Sequence, residues 1–477
     1  MNPRMHIRFT SLHQRAFRIL CPPAIDFIRC ERIESTEGLI AVLPSATSTL
    51  LPQNHMKAQK LLVVAALLSV GATDRMHAAS GTWTSSSNGN WVTAGNWSAS
   101  PVPGTTSGNG NADAATFNTA TGVTVTVDSH RALTTVNYDT NAGSFTLNSG
   151  GLFLASGGSI NLLSTITSSG QTETINTPVT TNGSMGVNNN ATTSDIISLT
   201  GTITNTKTSG TAVVSLGGTN VGANTISGVI SNGGTALTQI NKTGAGTWNL
   251  SGANTYTATT AISGGRLNIN NTTGSGTGTG SVTVASGSTL GGNGTINPTA
   301  TNKVTVSSGG IFAPGTVGNT DTLTISATGN TNPSGLLALS GATLAFNLGA
   351  ANTSSKLSLT SAFANEVTGL SGNTFNFTDL TAGSLSTGRY TLFLSDTSGS
   401  NPFSGLGLGV LSGFTINGLS SYTTAGDIVQ LELNQLGGSN FYALQLNIQA
   451  VPEPGTWAML VGGLVLLVGC HRRFRQS

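Results

Sequence analysis

Val282-Thr-Val-Ala-Ser-Gly-Ser-Thr-Leu290 returns 22 residues later as Val304-Thr-Val-Ser-Ser-Gly-Gly-Ile-Phe312. Phe145-Thr-Leu-Asn-Ser-Gly-Gly-Leu-Phe153 has the same form, with apolar residues opening and closing the unit and Ser-Gly at its centre. Trp248-Asn-Leu-Ser-Gly-Ala-Asn-Thr-Tyr256 keeps the apolar positions and shifts its glycine. Apolar residues at alternate positions, many of them β-branched, mark short strands with one buried face. A recurring unit of about twenty residues cannot bury that face alone, so successive units stack into a solenoid. Glycine supplies the left-handed or strained backbone at the corners, and Asn and Ser serve the same turns. These units predict an all-β protein, a right-handed parallel β-helix with a core of Val, Leu, Ile and Phe.

The composition alone would also suit a disordered chain. Of 477 residues, 63 are glycine and only 8% are charged. Against disorder stand alternating runs such as Val123-Thr-Val-Thr-Val127, and no segment from Ser80 to Ala450 has helical periodicity. From about Asn330 the pattern loosens into longer strands, including Tyr390-Thr-Leu-Phe-Leu394, Val429-Gln-Leu-Glu-Leu433 and Tyr442-Ala-Leu-Gln-Leu-Asn-Ile448. This predicts a β-rich module over 330–450 that covers the open end of a solenoid spanning 80–329.

Both ends differ from this body. Met56-Lys-Ala-Gln-Lys60 followed by ten residues from Leu61 to Val70, nearly all apolar, reads as a secretory signal over 56–79, with cleavage after Ala72 or near Ala79. Residues 1–55 hold six arginines and two of the three cysteines. They are expected to precede the true start at Met56, the alternative being a cytoplasmic extension before an uncleaved anchor. At the other end, Val451-Pro-Glu-Pro-Gly455 precedes an apolar run from Trp457 to Cys470 and then the cationic stop of Arg472, Arg473 and Arg475. Fourteen helical residues rise about 21 Å, short of the roughly 30 Å hydrocarbon core. A short transmembrane helix, with the positive residues cytoplasmic and the body outside, is the expected reading.

Between the ends, seven Lys/Arg face eleven Asp/Glu, a net charge of −4, which excludes a basic nucleic-acid face. Cys21, Cys30 and Cys470 all lie outside the body, so no disulfide framework holds it. His130 is its single histidine, which argues against histidine catalysis and against zinc or copper sites. Glycoside hydrolysis would need two carboxylates about one bond. Asp113, Asp128 and Asp139 are the candidates, yet each sits beside Asn, Ser or Thr, where Asp forms turns. Gly274-Ser-Gly-Thr-Gly-Thr-Gly280 has no following Lys and reads as a corner rather than a phosphate loop. Trp83, Trp91 and Trp97 either fill a capping turn or, as exposed indoles, stack on sugars. No metal and no cofactor is expected.

Two resemblances add to this. Gly244-Ala-Gly-Thr-Trp-Asn-Leu-Ser-Gly-Ala-Asn-Thr-Tyr256, continuing to Gly264-Gly-Arg-Leu267, resembles the autotransporter-associated β-strand repeat of bacterial surface proteins over 244–270. Its motif positions are Gly244, Gly246, Thr247, Leu250, Gly252, Asn254, Tyr256, Gly264, Gly265 and Leu267. No terminal run of amphipathic strands suggests a barrel, so self-translocation is not expected. The tail over 451–477, with Val451, Pro452, Glu453 and Pro454 as its sorting motif, resembles the PEP-CTERM signal that a membrane-embedded exosortase cleaves. That resemblance implies an exported, non-enzymatic protein of the cell surface or extracellular matrix. Its implied partners are the exosortase, the membrane and, as a further candidate, an exopolysaccharide. A polysaccharide-degrading β-helix enzyme and a carbohydrate-binding adhesin are the alternatives.

Overall fold

The computed structural model describes residues 79–451, apart from 109–111, 327, 329, 331–334, 361–365, 397–400, 425 and 438–440. Of the ends it describes strands Met5–Ile7, Phe17–Ile19, Arg29–Glu34 and Ile40–Ser45 and residues 459, 464 and 465. The chain divides into a unit over Met1–His77 and a unit over Ala78–Ser477. In the first, two antiparallel pairs form, Met5–Ile7 with Phe17–Ile19 and Arg29–Glu34 with Ile40–Ser45.

The second unit is a stack of parallel strands, as the alternation predicts. From Gly81–Trp83 and Gly89–Asn90 onward the chain adds strands by turns to a 14-stranded and a 13-stranded sheet. Residues one turn apart pair side by side. Val282 lies against Val304 and Leu290 against Phe312, so the 22-residue sequence displacement is the displacement of one turn. The inward positions form apolar columns. In the 13-stranded sheet Leu147, Ile175, Leu199, Ile226, Leu250 and Ile269 stack in that order, each fully buried. Full burial of each such side chain contributes roughly 1.5–3 kcal/mol. With charges sparse, this column and the ladder hydrogen bonds are the main source of cohesion.

The Phe145 unit shows how sequence phase can mislead. Thr146–Asn148 joins the 13-stranded sheet, whereas Val282–Val284 joins the 14-stranded one. Both sheets alternate with the same period of two, so the same pattern of residues fits either.

A third sheet begins at Thr295–Ile296 and grows in parallel through Thr322–Ser326, Lys356–Thr360 and Gly388–Asp396. Parallel pairing therefore crosses residue 330, where the sequence suggested a change of module. Ala300 bridges Asn330, and Val304–Val306 pairs with Leu337–Leu339. The pairing changes later: Phe441–Gln449, Ile428–Leu436 and Gly409–Leu411 extend the third sheet antiparallel. The one α-helix among the described elements is Ser420–Thr424.

At the other end Trp83, Trp91 and Trp97 are buried, not exposed. Their rings meet one another and Phe117, with centroids 4.8 to 6.3 Å apart. Trp91 Nε1 donates to Pro103 O at 2.8 Å, and Trp97 Nε1 to Trp91 O at 2.8 Å. The three indoles thus close the first turn, and no face remains for stacking on sugar. Trp91→Ala is expected to cost about 3–5 kcal/mol and to raise hydrogen exchange first in Gly81–Trp83 and Ala114–Phe117. Unchanged exchange in those strands would refute the capping role.

The apolar run at 457–470 lies outside the described residues except for Met459, Leu464 and Val465, which are helical and exposed. Among the described residues no helix is long and apolar enough to cross a membrane.

Candidate functional site

The turn carrying the repeat motif is stitched to its neighbours by buried polar side chains. Asn254 accepts a hydrogen bond from Ile230 N at 2.8 Å and donates to Gly276 O at 2.6 Å, tying the preceding and following turns together. Both links lie in the interior, where such bonds resist exchange with water. Tyr256 is fully buried, and its hydroxyl meets Thr260 Oγ1 at 2.6 Å. Burial raises the phenol well above its usual range, and the Thr260 contact offsets this only in part. Thr247 pairs with Arg266 in the ladder, while Leu250 and Leu267 point inward and are fully buried.

The glycines of the motif answer to close backbone approach. Gly244 and Gly265 have φ of +67° and +60°, a region L side chains rarely adopt. A Cβ at Gly244 would strike Gly218 O, and one at Gly265 would strike Gly246 O. Gly246, Gly252 and Gly264 likewise face the carbonyls of the preceding turn.

Sequence reasoning missed Lys242. It occupies the inward column of the 14-stranded sheet between Leu216 and Ile262, fully buried. Its Nζ donates to Thr243 O at 2.6 Å, Gly244 O at 2.9 Å and Gly264 O at 3.0 Å, clamping the corners of two successive turns. Burial pushes the ammonium down to about 8. The available signal was parity: in Ile240-Asn-Lys242, the lysine shares the inward position of Ile240.

A second buried polar group interrupts the opposite sheet. Glu173 stands one position before Ile175 on the inward face, opposite Ile197, and is fully buried. Its Oε2 accepts from Phe145 N at 2.9 Å, while Oε1 has no hydrogen-bond partner. Burial, with the charge of Asp195 adding to it, pushes the carboxyl up to about 9. It is thus a neutral acid at physiological pH. Tyr138 is also buried without a partner for its hydroxyl, and it is raised by burial and by Glu173. Asp195 is satisfied by Gln171 N at 2.6 Å, Thr193 Oγ1 at 2.8 Å and Ser168 Oγ at 3.0 Å.

The other carboxylates singled out by sequence are held locally. Asp113 accepts from Gly104 N at 2.7 Å, and Asp128 pairs with Arg131, whose charge Asp113 also feels. Asp139 bonds Thr140 and Thr165, and these contacts lower it despite partial burial. Asp128 and Asp113 share one guanidinium, whereas Asp139 stands apart as a turn former. His130 meets Gly108 O at 2.9 Å and packs on Phe153. Among the described residues no group of three His, Cys, Asp or Glu side chains could hold a metal.

Outward positions carry ladders of uncharged polar groups. Asn161 donates to Asn137 Oδ1 at 2.9 Å, and Asn188 to Asn161 Oδ1 at 3.0 Å. In the other sheet Thr124, Thr146, Thr174, Ser198, Thr225, Asn249 and Asn268 line one column. Of the sorting motif, Val451 is described and exposed, whereas Pro452, Glu453, Pro454, Arg472, Arg473 and Arg475 lie outside the described residues.

A family model described as the passenger-associated-transport-repeat matches residues 240–269. The matched segment includes Lys242 and covers the turn clamped by Lys242, Asn254 and Tyr256. No curated protein matches the chain.

Proposed function

We propose that this chain is an exported, non-enzymatic β-solenoid protein of the cell surface or extracellular matrix, built as a right-handed parallel β-helix. The single observation that carries this reading is the passenger-type repeat at 240–269, set within an uninterrupted parallel stack. Such repeats propagate a rigid rod by nearest-neighbour contacts and suit a scaffold presented outside the cell. The placement of the carboxylates supports a structural role. Asp113 and Asp128 share Arg131, and Glu173 and Asp195 are buried, so these near neighbours are engaged within the protein. The signal over 56–79 directs export in this reading. An exosortase-type enzyme then removes the tail at Val451-Pro-Glu-Pro454, and the membrane holds the precursor through the run at 457–470.

Intact mass and terminal sequencing of the protein from its native host test this directly. The mature form is expected to begin near Ala72 or Ala79 and to end near Pro454. A product that retains Arg475 would defeat the sorting reading, and one retaining Met56 would defeat signal cleavage.

A further inference from the structure

The strand Gly409–Leu411 ends the third sheet, paired on one side with Ile428–Leu436. Val410 is 62% exposed and Leu408 59% exposed. Soluble proteins protect such an edge with charge, proline, a bulge or a covering element, because its free N–H and C=O groups template further pairing. None of the chemical guards is present along this segment. Residues 397–426 carry no Asp, Glu, Lys, Arg or His, and the one proline, Pro402, precedes the strand by seven residues.

We propose that Gly409–Leu411 is a homodimer edge, pairing antiparallel about a two-fold axis with the same strand of a second copy. Three observations select this occupant. The sheet is already antiparallel from Gly388–Asp396 through Phe441–Gln449 and Ile428–Leu436 to this strand, so an antiparallel neighbour continues its pattern. The segment is uncharged, so bringing two copies together opposes no like charges. A two-fold contact with Val410 on the axis also sets this exposed valine against its own counterpart, an isologous interface that closes on itself. End-to-end stacking fits less well. The stack starts with two sheets, at Gly81–Trp83 and Gly89–Asn90, whereas the third sheet begins only at Thr295–Ile296. A first turn laid on the last would leave this third sheet without a partner.

Sedimentation of the purified full-length protein over a range of concentrations should show a monomer–dimer equilibrium. Val410→Lys should weaken dimerisation at least ~10-fold, because like charges then face each other across the two-fold. Val317→Lys, at a more exposed valine in a turn, should leave it unchanged. The chain's own cysteines are Cys21, Cys30 and Cys470, so with these three replaced by serine a single introduced thiol reports the contact cleanly. Val410→Cys should form an interchain disulfide under mild oxidation, since directly opposed residues lie about 4.5–5.5 Å apart at Cα. Val317→Cys should not. A monomer at ~100 μM, a dimer indifferent to Val410→Lys, failure of Val410→Cys to crosslink, or association only with a different protein would each overturn the proposal.

Discussion

Glu173→Gln is expected to stabilise the protein by about 2–3 kcal/mol at pH 8 and by almost nothing near pH 4.5. The wild-type carboxyl is carried neutral in the core, with its ionisation pushed up to about 9 from an ordinary 4.5. Below 4.5 it is protonated in both folded and unfolded chains and contributes no pH dependence. Between 4.5 and 9 the unfolded chain ionises while the folded chain keeps its proton. The folded state then binds more protons, so stability falls as pH rises through this window. At about 1.4 kcal/mol per unit the full effect at pH 8 would approach 5 kcal/mol, and relaxation with water entry reduces it by about half. Glutamine keeps the shape and can accept the Phe145 N–H through its carbonyl, but it has no charge to suppress. Urea unfolding of both proteins at pH 5 and pH 8 decides the matter, read by hydrogen exchange in Thr172–Ile175 because a long stack need not unfold in one step. Equal pH slopes in the two proteins would show that Glu173 is not the responsible group.

Lys242 gives the second large effect, of opposite sign in pH. Lys242→Ala removes the ammonium from three carbonyl oxygens and leaves a cavity between Leu216 and Ile262. The expected cost is about 4 kcal/mol. Lys242→Met fills the column but still strands the carbonyls, so its cost should be nearer 1–2 kcal/mol. The difference between the two separates packing from the clamp. A methionine variant as stable as the wild type would show that the carbonyl contacts contribute nothing net, as happens at some buried charges. Burial lowers the folded ammonium to about 8 from 10.5. Between these values the unfolded chain holds a proton that the folded chain has released, so wild-type stability rises with pH there. Neither variant should show that rise.

The two groups explain why the site was only partly legible. The motif glycines, Asn254 and Tyr256 stood out as a recurring pattern, and the structure places them in two successive turns. Lys242 and Glu173 did not stand out, because a single charged residue in an alternating strand reads as an outward side chain. Trp83, Trp91 and Trp97 were ambiguous for a related reason. Spacing cannot distinguish an indole that covers an end from one that faces solvent, whereas their contacts with Phe117 can.

By itself the sequence determined that the body is made of short alternating strands, that its turn is 22 residues long around Val282, and that glycine marks the corners. These are local properties: a period of two needs only one buried face, and a repeat needs only its neighbour. The tertiary structure alone decided to which sheet each strand belongs and that a third sheet grows from Thr295. It also decided that Lys242 and Glu173 point inward, and that Gly409–Leu411 ends the third sheet among the described residues. Alternation fixes the two faces of a strand only up to a flip. Which face is buried depends on what the next turn places against it.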